Sequence, residues 1–317
     1  MKNHAKKLVT FAAVTASATA VIHISNKIIA ASALLKGILE NTHKYIYNWR
    51  FGKIHYTKTG KGSPVLLIHD TLPGSSSYEW KNIQKELAMK HTVYSIDLLG
   101  YGNSDKPLLT YTNFVYTQLI CDFVKNVIGE KTNIIASGFS GSFAIMACRN
   151  EKDCFNKIVL INPPSISTLN KMPDKKTKLL KNFLEIPVFG TLIYNMLVSR
   201  ENLNDLFIEK MYYNPFHVDQ DMVDAYYESS HIGSVNAKAA YACFVSNYMN
   251  INISNNLKVL DNSILIIGGE AENGISSVID TYTEINPAIE AVTIKKAKHL
   301  PHVEDPEAFL DHIAVFL

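Results

Sequence analysis

Reactive chemistry is first suggested by "ASGFSGSFAIMAC", Ala136 to Cys148, where Ser140 stands between small residues at the end of an apolar run. A serine hydroxyl is a weak nucleophile alone. It needs a histidine to take its proton and a carboxylate to orient that histidine. Both are on offer near the C-terminus: His299 in "KKAKHLPHVEDPEAF", just past the last strand-like run, and Glu272 in "LIIGGEAEN". His302 is the second choice of base, since it lies closer to the following helix, and Glu270 reads as a solvated or turn-forming residue. The chain order Ser140, Glu272, His299 matches one serine-hydrolase arrangement and not the other common ones.

Such a serine needs a sharp strand-to-helix turn, and the elements around it supply one. "NIIA" is strand-like, Gly138-Phe139-Ser140-Gly141-Ser142 follows, and a helix begins at once. The turn admits only small neighbours, so Ser142 in place of a second glycine implies crowding of up to ~1 kcal/mol and no loss of the turn. Earlier, "YIYNWR" and "KIHYTKTG" read as alternating edge strands and "SPVLLIHD" as a buried one. A helix over Trp80–Met89, a strand "HTVYSID", an amphipathic helix over Asn113–Ile128, and strands "TNIIASG" and "KIVLINPPS" continue the alternation. Alternation of this kind, with continuously apolar strands, predicts an α/β fold with a mostly parallel twisted sheet flanked by helices. From 166 to 257 only helix-like pieces occur, and strands return at "NSILIIGG" and "EAVTIKKA" before a closing helix over Pro306–Leu317. The expected organisation is a sheet core over 45–165 and 258–317, a helical cap or lid over 166–257, and a separate N-terminal segment over 1–44.

Taken together, "LLIHDTLPGSSSYEW", "VYSIDLLGYGNSDKP", "GFSGS", "ILIIGGEAEN" and "KHLPHVEDPEAF" make the stretch from Tyr45 to Leu317 resemble the α/β-hydrolase superfamily of the epoxide hydrolase, haloperoxidase and C–C hydrolase type. The resemblance implies an oxyanion hole from the backbone N–H groups of Gly141 and Thr71, and a turn-forming role for Asp97. Three departures stand out. Glu272 replaces an aspartate, Ser142 replaces a glycine, and His69-Asp70 replaces the family's His-Gly. An ionised Asp70 pointing inward would oppose an oxyanion beside it, so Asp70 is expected to point outward or cap its loop. The aspartate-nucleophile branch is set aside because position 140 carries serine. The expected activity is a serine esterase-like hydrolase acting on a small or medium apolar ester, thioester or acyl group. A non-hydrolytic binding protein at the membrane, or a lyase or cofactor-free oxygenase using His299, are the alternatives. No metal or cofactor is implied.

Composition agrees with an ordinary enzyme-sized chain: 317 residues, 47% hydrophobic, 19% charged and a net charge of +2. The lysines are scattered, so no nucleic-acid partner is expected. Cys121, Cys148, Cys154 and Cys243 lack zinc-site spacing and read as free thiols. The N-terminus sets Lys2, Lys6 and Lys7 before an uncharged span from Leu8 to Ser25, near the ~18-residue lower limit for a bilayer crossing. A membrane anchor, a cleaved signal peptide and a soluble helix all fit, and the apolar run that resumes in "IIAASALLKGIL" favours the anchor. The cap's aromatic and methionine-rich set, from Phe183 to Tyr227, is expected to form cap core rather than pocket wall.

Overall fold

Apolar runs such as Val65–Ile68 are buried on both sides, and this decides the architecture: such a strand is stable only between two covering layers. A computed structural model describes residues 2–40 and 45–317, and in it eight strands form one sheet. They are β1 (Tyr45–Trp49), β2 (Gly52–Thr59), β3 (Ser63–Ile68), β4 (His91–Ile96), β5 (Thr132–Ser137), β6 (Phe155–Ile161), β7 (Ile264–Gly269) and β8 (Ile289–Ile294). Their spatial order is β1-β2-β4-β3-β5-β6-β7-β8. β1 and β2 run antiparallel at one edge, and every pairing from β4 onward is parallel. The chain order reverses around β3 and β5, and the loops that leave these strands meet at their carboxyl ends, where open α/β sheets hold their ligands.

The longer helices are α1 (Lys2–Ala33), α2 (Asn113–Phe123), α3 (Ser140–Asn150), α4 (Lys175–Glu185), α5 (Phe189–Leu197), α6 (Gln220–His231), α7 (Lys238–Val245), α8 (Ile275–Ile285) and α9 (Pro306–Phe316). One face of the sheet is covered by α2 and α3, whose Leu119, Phe123 and Phe143 are fully buried against Leu66 and Ile134. Burying a side chain such as Phe143 contributes about 1.5–3 kcal/mol. The other face is covered by α9, with Phe309 and Ile313 packed beside Trp80 and Ile83. The helix expected over Trp80–Met89 divides into a 3₁₀ turn, Ser77–Trp80, and a four-residue helix, Gln84–Leu87. The helix expected over Asn113–Ile128 ends its regular part at Phe123, continues as a wider turn over Val124–Ile128, and stops at Gly129, whose φ of 73° favours glycine.

Between β6 and β7 the described residues are helical and irregular, and their core joins Tyr194, Leu203, Phe207, Met211 and Tyr226 to Leu300 and Val303 of the sheet domain. These aromatic residues are cap core, as expected. Phe183, Phe189, Met196, Tyr213 and Phe216 are not: they are exposed, because the helical period that places an apolar stripe does not say whether anything covers it. The 28 residues Lys6–Ala33 are long and apolar enough to cross a bilayer by length and composition. The junction proposed at residue 44 falls in 41–44, outside the described residues. Cys121, Cys148 and Cys243 are buried free thiols and Cys154 is a half-buried one.

Candidate active site

The turn after β5 is built differently from the serine elbow expected at Ser140. The left-handed residue is Gly138, with φ of +53°, whereas Ser140 already lies in α3 with helical backbone. A Cβ at Gly138 would lie 2.3–2.5 Å from the carboxyl carbon and both oxygens of Asp70. The space that a side chain at the apex of this turn would fill is therefore occupied by the carboxylate of Asp70, delivered from the end of β3.

Asp70 is the largest correction to the sequence expectation. It points inward and is 2% exposed, not outward into the loop. Its Oδ1 accepts the N–H of Thr71 at 2.6 Å and that of Phe139 at 2.9 Å. Its Oδ2 lies 3.0 Å from Nε2 of His299. Two backbone donors and an imidazole stabilise a buried carboxylate that would otherwise pay a heavy desolvation cost.

The loop carrying Asp70 is held on three sides. Nε2 of His69 accepts the N–H of Leu98 at 3.0 Å, which leaves Nδ1 protonated and donating to the carbonyl of Asp70 at 2.5 Å. The hydroxyl of Tyr101 donates to the Thr71 carbonyl at 2.9 Å, and the Asp70 N–H donates to the buried carboxylate of Glu79 at 3.2 Å. Glu79 is paired in turn with His302 at 3.1 Å, both fully buried, so His302 supports the loop from behind and does not face the cavity.

His299 and Glu272 come together as expected, with Nδ1 to Oε2 at 3.6 Å, an ion-pair distance longer than a hydrogen bond. The His299 loop is fixed by Asn162 after β6, whose amide donates to the carbonyls of Lys298 and His299 at 2.8 and 2.9 Å, while its oxygen accepts the N–H of Gly269 at 3.0 Å. From the cap side, the His299 N–H donates to the Met211 carbonyl at 3.1 Å. Burial alone would lower the basicity of His299. The bond to Asp70, the contact with Glu272 and the charges of both outweigh it, and the imidazole is pushed up to about 10. His299 is thus an imidazolium at neutral pH, between two carboxylates.

Ser140 does not join this group. Its hydroxyl donates to the His69 carbonyl at 2.5 Å and is fully buried. The N–H of Gly141 is likewise taken up by the Gly138 carbonyl at 3.1 Å, so the second donor at the site is Phe139 instead of Gly141. Ser142 does fit its cramped position, bonded to the Phe139 carbonyl and to Asn113. The expectation failed on register. "ASGFSGS" satisfies the small-residue requirement with Ser140 at the centre, but also with Gly138 at the centre flanked by Ala136 and Ser140. The available signal was a pair of departures: a glycine at the apex, and an aspartate where glycine would follow His69.

Asp70, Leu72, Phe139, Phe244, Ile275 and His299 are among the residues around a cavity of about 280 Å³. The site therefore offers one carboxylate oxygen beside an imidazolium, in a mainly apolar hollow, with the other oxygen fixed by two N–H donors. Among the described residues, no group of three or more His, Cys, Asp or Glu side chains is arranged to hold a metal ion.

Comparison with known proteins fits this architecture. The chain is similar to the soluble epoxide hydrolase of Corynebacterium sp. (strain C12), 27% identical over 110 residues, covering 35% of this chain and 38% of that protein. It is 31% identical over 108 residues to a 2-hydroxy-6-oxo-6-(2'-aminophenyl)hexa-2,4-dienoic acid hydrolase of Metapseudomonas resinovorans, covering 33% of this chain and 37% of that one. In both cases the matched stretch spans less than two-fifths of the relative. A proline iminopeptidase of Heyndrickxia coagulans aligns over 279 residues at 23% identity, covering 84% of this chain and 95% of the relative. Among solved structures, a serine hydrolase involved in carbazole degradation superposes with a TM-score of 0.70 at 19% identity, covering 86% of this chain and 97% of that one. A bacterial membrane phospholipase A superposes with a TM-score of 0.68 at 19% identity, covering 100% of this chain and 98% of that one. At such identities the superpositions speak for the fold alone. A family model described as the alpha/beta hydrolase family matches residues 65–312. With most of its length under that match and an eight-stranded, mostly parallel sheet beneath it, the chain belongs to the alpha/beta hydrolase family.

Proposed function

We propose that the protein is a hydrolase whose nucleophile is the carboxylate of Asp70, assisted by His299 and Glu272, and whose substrate is a small, mainly apolar molecule with an electrophilic saturated carbon bearing an oxygen leaving group, such as a strained cyclic ether. The observation that carries this reading is the double hold on Asp70: Oδ1 on the N–H groups of Thr71 and Phe139, Oδ2 beside His299 at the cavity. The relative named as a soluble epoxide hydrolase is in keeping with it.

The steps balance. Oδ2 of Asp70 attacks the carbon, the carbon–oxygen bond breaks, and the alkoxide takes the Nε2 proton of His299. An ester on Asp70 and a neutral imidazole result. With the Asp70 charge gone, the imidazole loses its first partner and acts as a base. Water attacks Cγ of Asp70, one of its protons passes to His299, and the developing oxyanion rests on the Thr71 and Phe139 N–H groups. Losing one such donor typically costs 10² to 10³ in rate. Collapse expels the alcohol oxygen, which takes the second water proton, and Asp70 regains its charge with one oxygen from water. Glu272 orients the imidazole and stabilises its charged form.

The experiment is turnover of a panel of terminal epoxides and p-nitrophenyl esters by the wild type, Asp70→Ala and Ser140→Ala. Epoxide hydrolysis lost in Asp70→Ala and kept in Ser140→Ala is the expected result. Ester hydrolysis lost in Ser140→Ala alone would return the reading to a serine esterase. A non-hydrolytic binding protein is the second reading. It is favoured by one observation, that both nitrogens of His299 and both oxygens of Asp70 already have partners. It predicts no turnover of any member of the panel.

A further inference from the structure

Outside the candidate site, the least explained feature is apolar surface on the cap beside α1. The second half of α1 is tied to the body. Asn26 is buried, donating to the Val188 carbonyl at 2.9 Å and accepting from Asn195 at 3.0 Å. After the helix, Lys36 pairs with Asp224, and the N–H groups of Ile38 and Leu39 donate to the Glu228 carboxylate on α6 at 2.7 and 3.1 Å. The part of α1 before Asn26 touches little: Leu8, Phe11, Val14 and Val21 are each more than three-fifths exposed. The uncharged part of α1, Leu8 to Ser25, is about 27 Å long as a helix, near the thickness of a bilayer's hydrocarbon core.

The point where α1 leaves the body is the turn between α4 and α5, because Val188 belongs to that turn. The same turn carries exposed Ile186 and Phe189. α4 leads into it with a two-sided pattern. Lys181 and Leu184 are buried, whereas Leu179 is 70% and Phe183 48% exposed, and α5 adds Met196 at 61%. At the start of α4, Lys175, Lys176 and Lys178 are exposed. The facing acids cancel them only in part: Asp174, which caps α4 through Thr177, lies close enough to Lys176 to offset one of the three charges, and Glu185 is paired with Lys181. The turn is firmly set. A Cβ at Gly190 would lie 2.1 Å from the Leu184 carbonyl, so the backbone on the two sides of the turn is in close approach. Apolar side chains fixed outward below a basic helix start have the chemistry of a membrane-surface element.

We propose that the α4–α5 hairpin of the cap rests on the anionic bilayer that α1 enters, with Phe183, Ile186 and Phe189 in the acyl-chain boundary and Lys175, Lys176 and Lys178 over the headgroups. This stands independently of the chemistry at Asp70. It also places the cap where lipid contact could reach the site, since α4 packs on α7, whose Phe244 lines the Asp70 cavity.

The test uses the full chain with Cys154→Ser, the other three cysteines being buried. Phe189→Cys carries an environment-sensitive fluorophore, with Phe183→Cys as a second position and Val315→Cys on α9 as the distant control. The protein is reconstituted in phosphatidylglycerol/phosphatidylcholine vesicles containing brominated acyl chains. Quenching at 189 and 183 several-fold above that at 315, reduced by K175E/K176E/K178E in anionic but not in zwitterionic vesicles, is the expected result. Quenching no greater than at 315, or failure of the protein to associate with the vesicles, overturns the proposal. So does a fluorescence change that follows protein concentration in lipid-free detergent, which would assign the surface to a second copy of the chain.

Discussion

Replacing Gly138 with alanine forces the one methyl group that the site has no room for. The backbone at φ of +53° disfavours any Cβ, which costs roughly 1–2 kcal/mol. The new carbon would lie 2.3–2.5 Å from three atoms of the Asp70 carboxylate, far inside contact distance, so the carboxylate must move. Displacement breaks bonds to Thr71, Phe139 and His299, and charge-assisted hydrogen bonds contribute ~1.5–3 kcal/mol each, with water recovering part. Gly138→Ala should therefore destabilise the fold by about 3–5 kcal/mol. In an Asp70→Gly background the steric conflict is gone and only the backbone cost of ~1–2 kcal/mol remains. Urea unfolding of the wild type, both single variants and the double variant measures the difference, an interaction of about 2–3 kcal/mol. Additivity within ~0.5 kcal/mol would refute the claim that Asp70 fills the apex of the turn.

Three further outcomes follow from the same geometry. The imidazole resonances of His299 should titrate with a midpoint near 10 in the wild type and at lower pH in Asp70→Asn, where the first of its two favourable partners has lost its charge. Because the folded value is raised above the ordinary 6.5, the stabilisation from His299 is complete below pH 6.5 and is lost as pH rises toward 10, so denaturant midpoints of wild type and His299→Gln should converge over that interval. Asn162→Ala should lower kcat for any substrate found, by loosening the His299 loop, while costing about 1–3 kcal/mol of stability from the carbonyls of Lys298 and His299 and the N–H of Gly269 left without their partner, read by unfolding and steady-state kinetics together.

The sheet was legible because runs such as "VLLI" and "ILII" are apolar at every position, short, and bounded by turn residues, which suits a strand covered on both faces. Glu272 was legible because it follows the wholly apolar run of β7, and His299 because it lies in the loop that leaves the last strand, β8. The proposed nucleophile was not. Two small-residue registers two positions apart fit the same turn, and the group that decides between them, Asp70, lies some seventy residues earlier and acts through space. Nor could the sequence separate Phe207, which meets Tyr212 and Tyr226 in the cap core, from Phe183, which meets solvent. Both sit on helical apolar stripes, and only the packing of neighbours tells them apart.

Turnover of an epoxide in heavy-oxygen water reads the Asp70 ester itself, because that ester is broken at its carbonyl and returns a water oxygen to the enzyme. Tandem mass spectrometry of the tryptic peptide Gly62–Lys81 reads Asp70 apart from Glu79. Heavy oxygen is expected in the Asp70 carboxylate after repeated turnovers. Unlabelled Asp70, with the label found only in product, or an absence of turnover across the panel, would contradict it.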